Sequence, residues 1–148
     1  MKKILFAVLC TTGLMLGANA QNSAQTKLKA GEVPASLKTS FKTEFPNAKD
    51  VAWTLKEGKF KVEFESNDLD HFAKYDADGK MIAKGMQIKQ TDLPPAVTAA
   101  VKGAYAKREI DDVFKVEKEG TTFYLVKFDG NPETKVMYSA DGQLVNEK

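Results

Sequence analysis

Two stretches of the chain share one pattern: EFPNAKDVAWTLKEGKFKVEF, residues 44–64, and YAKREIDDVFKVEKEGTTFYLVKF, residues 105–128. In each, apolar and polar side chains alternate on both sides of a Glu-Gly pair, which is typical of two strands joined by a tight turn. Trp53 has the phase of Val51 and Leu55, and we expect this phase to face the core. The matching features lie 60 to 64 residues apart, which indicates a fold built twice from the same parts.

A short amphipathic helix is predicted before each stretch. Val33-Pro34 opens the first unit and Leu93-Pro94 the second, and proline is favoured in the first turn of a helix. Apolar residues then recur every fourth position, which predicts one apolar stripe along each helix. The stripes are Leu37, Phe41 and Phe45 in the first unit, and Val97, Val101 and Tyr105 in the second. The first helix is predicted over residues 34–45, because Pro46 cannot continue it.

Two further strands are predicted after each hairpin. In the first unit they run from His71 to Tyr75 and from Lys80 to Lys89, with a turn at Asp78-Gly79 between them. The sequence therefore predicts an α+β fold of two tandem repeats, residues 33–91 and 92–148. Each repeat has one helix (or helix and loop) packed on a roughly four-stranded antiparallel sheet, and we expect the two to form one compact body.

The first twenty residues have the pattern of a secretory signal peptide. Lys2 and Lys3 precede an apolar run of 14 residues, 4–17, and Ala18-Asn19-Ala20 is a small-x-small cleavage site. Fourteen helical residues span about 21 Å, less than the roughly 30 Å of a bilayer core. We expect cleavage after Ala20, a periplasmic or secreted address without stable membrane insertion, and a flexible tether over residues 21–32.

Removal of this leader changes the charge and the cysteine content. Without Lys2 and Lys3, 20 basic residues balance 20 acidic ones, so no general positive surface for nucleic acid is expected. Cys10 is the only cysteine and lies in the leader, where Leu9 before it does not fit a lipidation motif. The secreted domain is therefore expected to hold together by packing, without a disulfide or a thiolate site.

No motif in the sequence predicts catalysis, a cofactor or a metal site. His71 is the only histidine, and no Gly-x-Ser-x-Gly element accompanies it. Asp76-Ala-Asp78-Gly79 lacks the further acids of a known calcium loop, and a hairpin turn explains the same residues. The lysines are scattered among acids, as on a solvated surface. We therefore expect a protein that is not an enzyme and needs no cofactor.

The second predicted sheet is apolar on both faces. If Val113 and Val126 face the helix, the opposite face presents Phe114, Val116, Phe123, Leu125 and Met137. The corresponding residues of the first repeat include Ala52, Thr54, Lys61 and Glu63. Burial of Phe123 and Leu125 would contribute roughly 2 kcal/mol each, so their exposure would need a reason. Two explanations stay open: another part of the chain covers these residues or a bulge shifts their phase, or they form a surface that receives a partner.

Several motifs together resemble a known family. They are Val33-Pro34, Phe45-Pro-Asn-Ala, Val51-x-Trp53, Tyr75-Asp-x-Asp-Gly79 and Leu93-Pro94. In this order they resemble the PepSY-like, beta-lactamase-inhibitor-like proteins exported by Gram-negative bacteria. The resemblance covers nearly the whole mature chain, although Lys115 replaces the Trp in the second repeat. It implies a tandem helix-and-sheet fold, a periplasmic address and binding of proteins, whereas inhibition of a beta-lactamase would be an analogy of fold.

Two functions of different classes follow from these observations. The preferred one is a non-enzymatic periplasmic binding module that engages a protein partner, another envelope protein, in the manner of an inhibitor. The contact would be the open sheet face centred on Phe123 and Leu125. The alternative is a carrier of a small apolar ligand, held in a cavity between the two repeats.

Overall fold

The computed structural model describes residues 25–130 and 134–146. The predicted leader and its cleavage site lie outside the described residues. In chain order the elements are β1 (Thr26–Leu28), α1 (Ala35–Glu44), β2 (Lys49–Lys56), β3 (Lys59–Ser66), β4 (Leu69–Tyr75), β5 (Met81–Gln87), α2 (Pro95–Ala104), β6 (Ile110–Lys118), β7 (Thr121–Phe128), β8 (Thr134–Ser139) and β9 (Leu144–Val145). The class is α+β, as predicted, and α1 agrees with the predicted helix to within one residue at each end.

All nine of these strands form one antiparallel sheet, in which each strand pairs with its neighbour in sequence. The sheet is therefore larger than the predicted pair of roughly four-stranded sheets. The two repeats join where β5 pairs with β6, with Gly85 opposite Val116 and Ala83 opposite Lys118. This pairing satisfies backbone groups that two separate sheets would leave on exposed edges. The boundary between residues 91 and 92 stays a prediction.

The segment predicted to be a flexible tether contributes the first strand. β1 pairs with β2, and Leu28 lies opposite Trp53. Leu28 also packs against the apolar cluster under α1, and burial of this side chain stabilises the ordered segment. The side chain of Gln25 donates a hydrogen bond of 2.8 Å to the Thr54 hydroxyl. The described part of the tether therefore forms one edge of the sheet.

Both helices pack on the same face of the sheet, which we call the helix face. Leu37 and Phe41 of α1 cover one apolar cluster, and Val97 and Val101 of α2 cover a second. The sheet residues of the first cluster include Trp53, Val62, Phe64 and Tyr75, and those of the second include Val113, Val126, Phe128 and Tyr138. The register of the strands places both sets on one face, so each repeat has a core under its own helix.

Trp53 lies in the first core, which confirms its predicted position. Its side chain is 7% exposed, and its ring contacts Phe41 edge-on with the centroids 5.5 Å apart. The prediction that Val51 faces the same core is wrong, because Val51 is 42% exposed. A bulge between Lys49 and Ala52 shifts the register there, with Asp50 at a φ of 50°.

The predicted hairpin turns are confirmed in both repeats. Glu57-Gly58 has φ angles of 51° and 73°, and Glu119-Gly120 has 51° and 76°. Two successive positive φ values match the right-handed twist of the flanking strands, and glycine adopts the second of them without strain. The same local chemistry therefore forms the same turn twice.

Tyr75 is a polar side chain inside the first core. It is 1% exposed, and its hydroxyl has no hydrogen-bond partner among residues 25–130 and 134–146. Burial, together with the negative charge of Glu44, raises the pKa of the phenol to about 12. Between pH 10 and 12 the phenol ionises in the unfolded chain but stays neutral in the folded protein. The free energy of unfolding therefore falls as the pH rises through this range.

We expect Tyr75→Phe to leave the free energy of unfolding unchanged or to raise it by about 1 kcal/mol, because the substitution removes a buried hydroxyl that lacks a partner. Urea denaturation of the two proteins at neutral pH measures this difference. Above pH 10 the variant should gain further on the wild type, since only the wild type must keep a phenol neutral. A loss of more than about 1 kcal/mol at neutral pH would contradict the prediction.

Candidate functional site

The face of the sheet opposite the helices, which we call the trough face, curves into a trough of about 840 Å³. Residues of β2, β3 and β4 line its first wall, among them Thr54, Lys61, Glu63 and Phe72. Residues of β6, β7 and β8 line its second wall, among them Phe114, Val116, Leu125, Lys127 and Met137. Each repeat therefore contributes one wall, and Ala83 of β5 lies between them.

Curvature brings charges of the two repeats within reach of each other. In a flat sheet β3 and β7 would lie about 19 Å apart, since neighbouring strands are about 4.8 Å apart. Charges at that distance in water are largely screened. Lys127 of β7 and Lys135 of β8 nevertheless lower the pKa of Glu63 on β3. Residues of both walls also line the same trough, so the two walls face each other.

Glu63 is held by lysines from both walls. Burial of its carboxylate acts to raise the pKa of Glu63. The hydrogen bond from Lys61, with Nζ 2.6 Å from Oε1, and the charges of Lys61, Lys127 and Lys135 outweigh burial and lower this pKa. The trough thus favours the charged form of the Glu63 carboxylate.

The floor of the trough is aromatic. The rings of Phe72 and Phe114 lie 5.6 Å apart and bring β4 of the first repeat against β6 of the second. Phe72 can lie there because β5 has a glycine at the facing position. A Cβ atom on Gly85 would come within 2.3 Å of Phe72 Cε1. The glycine therefore allows the ring to pack directly on the sheet where the repeats join.

All five residues predicted to bind a partner lie on the trough face. Phe114 pairs with Leu125, Leu125 with Met137, and Val116 with Phe123. Phe114, Val116 and Met137 are buried, at 4%, 2% and 6% exposure. Leu125 lines the trough, and Phe123 lies two residues along the same strand; both are half-buried. Only these two offer part of their side chains to a partner, and their role in binding stays a prediction.

The other repeat covers part of the apolar face, as one of the two explanations requires. Phe72 and Ala83 of the first repeat form one cluster with Phe114 and Val116 of the second. Phe123 and Leu125 pack against this cluster from its edge. The trough face therefore contains a core shared by the repeats. Beside it lies a smaller apolar margin, formed by the accessible parts of Phe123 and Leu125.

Lysine side chains extend over the aromatic floor, a feature that the strand patterns had not led us to expect. The Nζ atom of Lys127 lies 4.9 Å from the ring centre of Phe114. Those of Lys61 and Lys74 lie 5.6 and 6.0 Å from the ring centre of Phe72. The strand alternation does place one lysine on this face, since Phe123, Leu125 and Lys127 share one phase. These cations and rings attract each other and give the trough a positive, apolar character.

His71 lies on β4 and belongs to the helix face. Its ring stacks on Phe64, with the centroids 5.3 Å apart. Its Nε2 atom is buried and makes no hydrogen bond within the described part of the chain. In that same part, no group of three or more His, Cys, Asp or Glu side chains could hold a metal ion. The half-buried ring thus packs against the first core from β4.

The acidic residues before Gly79 stabilise a turn. Asp76 Oδ1 accepts hydrogen bonds from the backbone N–H groups of Asp78, at 3.0 Å, and Lys80, at 2.8 Å. This arrangement is the one expected of an aspartate that caps its own turn. The hairpin interpretation of these residues is confirmed.

Gly85→Ala should destabilise the fold by about 1 to 3 kcal/mol, because the added methyl group forces the Phe72 ring away from the floor. Thermal or urea denaturation measures this change. Gly103→Ala is a matched control, since a Cβ atom there meets nothing within 4 Å in α2. The control should be neutral or stabilising by up to about 1 kcal/mol. Equal effects of both substitutions would contradict the role of the Phe72–Gly85 contact.

Glu63→Gln tests the charges across the trough. Because the pKa of Glu63 is lowered below 4.5, its carboxylate contributes stability above that value and loses it as the pH falls through the folded pKa. The wild type should therefore be more stable than the variant at neutral pH, and the difference should shrink as the pH falls through the folded pKa of Glu63 and as salt is added. Urea denaturation over a pH series measures it, with Glu65→Gln on the same strand as control. A difference that persists unchanged in acid would count against these contacts.

Solved structures of Bacteroides proteins share this fold. A DUF2874 family protein from Bacteroides uniformis has a TM-score of 0.63 at 19% identity, covering 77% of this chain and 87% of that one. A "putative periplasmic" protein from Bacteroides eggerthii has 0.65 at 16%, covering 78% and 88%. A BLIP-like protein from Bacteroides fragilis has 0.57 at 23%, covering 80% and 88%. Identities this low show the fold alone.

The family comparison covers most of the chain. The model of the family described as "Putative beta-lactamase-inhibitor-like, PepSY-like" matches twice, over residues 19–83 and 73–146. No curated protein matches the chain. None of the helices within the described residues is long and apolar enough to cross a membrane. The tandem match agrees with the repeat and confirms the resemblance: the chain belongs to the PepSY-like, beta-lactamase-inhibitor-like family.

Proposed function

We propose that this protein is a non-enzymatic binding module of the periplasm that receives a protein partner in the trough. The observation that carries the proposal is a pair of half-buried apolar side chains on β7: Leu125, which lines the trough, and Phe123, two residues along the same strand. The periplasmic address is supported by the likeness to the Bacteroides eggerthii protein. The matched family is not known as a family of enzymes.

The trough face has the anatomy of a protein interface. Such interfaces combine an apolar centre with a polar rim, and a few anchors in pockets contribute most of the binding energy. Here Leu125 lies between Phe114 and Met137, while Lys61 and Lys127 belong to the charged walls. A convex loop or an extended segment of a partner would fit between the walls. The likeness to a BLIP-like protein supports this inhibitor-like mode as an analogy of fold.

The alternative, a carrier of a small apolar ligand, draws support from the size of the trough. Its volume of about 840 Å³ lies within the range of roughly 300 to 1,000 Å³ that is usual for ligand pockets. The charged side chains of both walls favour the protein partner, because an apolar ligand would remove water from these charges without offering them hydrogen bonds. Native mass spectrometry of gently isolated protein separates the two functions. A bound small molecule in the trough would favour the carrier.

Phe123→Asp is expected to abolish capture of the partner from the host envelope while the fold is kept. The reason is that an aspartate at this position places an unpaired charge against the apolar margin of the interface. Affinity capture from envelope extract by wild type and variant, with circular dichroism of the purified variant, measures both properties. Leu144→Asp is the matched control, because Leu144 is 58% exposed and lies opposite Tyr138, on the helix face.

Three results of this experiment are informative. Loss of one captured protein with Phe123→Asp, but not with Leu144→Asp, supports the proposed site. Equal capture by all three proteins overturns it. If Phe123→Asp unfolds, Leu125→Ser provides the test, since it shortens the side chain that lines the trough without adding a charge. Retention of the partner by a folded Leu125→Ser variant would also count against the proposal.

A further inference from the structure

We propose that the trough receives an acidic partner segment, in which carboxylate side chains flank one apolar side chain. This inference rests on the proposed function and names the chemistry of the partner. It is carried by the distribution of charge between the two walls of the trough, by the position of the lysines over the aromatic floor, and by the apolar margin beside them.

The second wall of the trough is basic as well as apolar. Its lining residues from β6, β7 and β8 include Lys118, Lys127 and Lys135, and no Asp or Glu. The acidic lining residues all belong to the first repeat: Asp50, Glu57, Glu63, Glu65 and Asp70. Lysines accompany these acids on the first wall, namely Lys56, Lys59, Lys61 and Lys74, so only the second wall has lining charges of a single sign. Leu125 therefore lies in a positively charged setting.

These lysines are placed to strengthen contacts with carboxylates. The ammonium group of Lys127 lies over the Phe114 ring, where water approaches it from fewer directions than in bulk solvent. A partner carboxylate beside it would displace more water and meet a stronger field than at an open surface. The chain already contains carboxylates in this position. Glu63 is held by Lys61 and faces Lys127 and Lys135, and Asp112 Oδ2 lies 3.8 Å from Lys127 Nζ.

Because of the apolar margin, the partner segment needs an apolar side chain as well as acidic ones. Phe123 and Leu125 are half-buried in this structure, and a purely polar segment would leave their exposed surface without a partner. A basic segment would place like charges beside Lys127 and Lys135, at a cost in binding energy. An acidic segment with one aromatic or branched apolar residue would contact both the lysines and the margin favourably.

Selection of random linear peptides displayed on phage tests this inference, and it does not require that the natural partner be identified. The wild-type protein is one target, and the Lys127→Glu/Lys135→Glu double variant is the other. Lys42→Glu/Lys107→Glu is a control of equal charge, since both lysines are exposed and lie outside the trough lining. Circular dichroism establishes that all three proteins fold.

We expect the wild type to enrich peptides in which Asp or Glu flanks an aromatic or branched apolar residue. The best of them should bind the double variant at least roughly tenfold more weakly, keep its affinity for the control, and weaken as salt is added. Enrichment of neutral or basic peptides, equal affinity for wild type and double variant, or no enrichment at all would overturn the inference.

Failure of this inference differs visibly from failure of the proposed function. If Phe123→Asp loses a captured envelope protein while the Lys127→Glu/Lys135→Glu variant keeps it, the trough binds a partner that is not recognised by acidic groups. If neither variant affects capture, the proposed function itself fails. Loss of the same protein with both variants supports both statements.

Discussion

The architecture depends on the junction where β5 pairs with β6 and the Phe72 ring packs against Gly85. The strand pairing joins two repeats into one sheet, and the ring contact brings Phe72 within 5.6 Å of Phe114 across that junction. A larger residue than glycine at position 85 would displace the ring. Because the ring lies on the trough face, the same contact fixes the floor of the candidate site and the approach of its two walls.

The two faces of the sheet use the repeat differently. On the helix face each repeat builds its own core under its own helix, and corresponding residues such as Phe45 and Tyr105 pack on Phe64 and Phe128, each pair with centroids 4.6 Å apart. On the trough face the repeats diverge. Lys61 and Glu63 of the first wall correspond to Phe123 and Leu125 of the second. One polar wall therefore faces a wall that is both apolar and basic, which a strict repeat could not provide.

Lysine stems explain how an apolar sheet face without a helix remains compatible with water. Long amphipathic side chains cover apolar surface with their methylene groups and keep the charged end solvated. The ammonium groups of Lys127 and Lys61 lie over the rings of Phe114 and Phe72, so these side chains extend across the apolar floor. Lys127 is also one of the two lysines that we expect to meet a carboxylate of the partner. The residue that covers the floor in the free protein would therefore take part in recognition in the complex.

The sequence by itself determined the local elements and the phase of most strands. Helix stripes, Glu-Gly and Asp-Gly turns, the core position of Trp53 and the face that carries Phe123 and Leu125 all follow from spacing within one element. Tertiary structure decided the rest, namely the β5–β6 junction, the strand in the tether, the bulge that exposes Val51 and the lysines over the aromatic floor. These depend on which strands meet and how the sheet curves, so they involve residues distant in sequence whose contacts no local periodicity specifies.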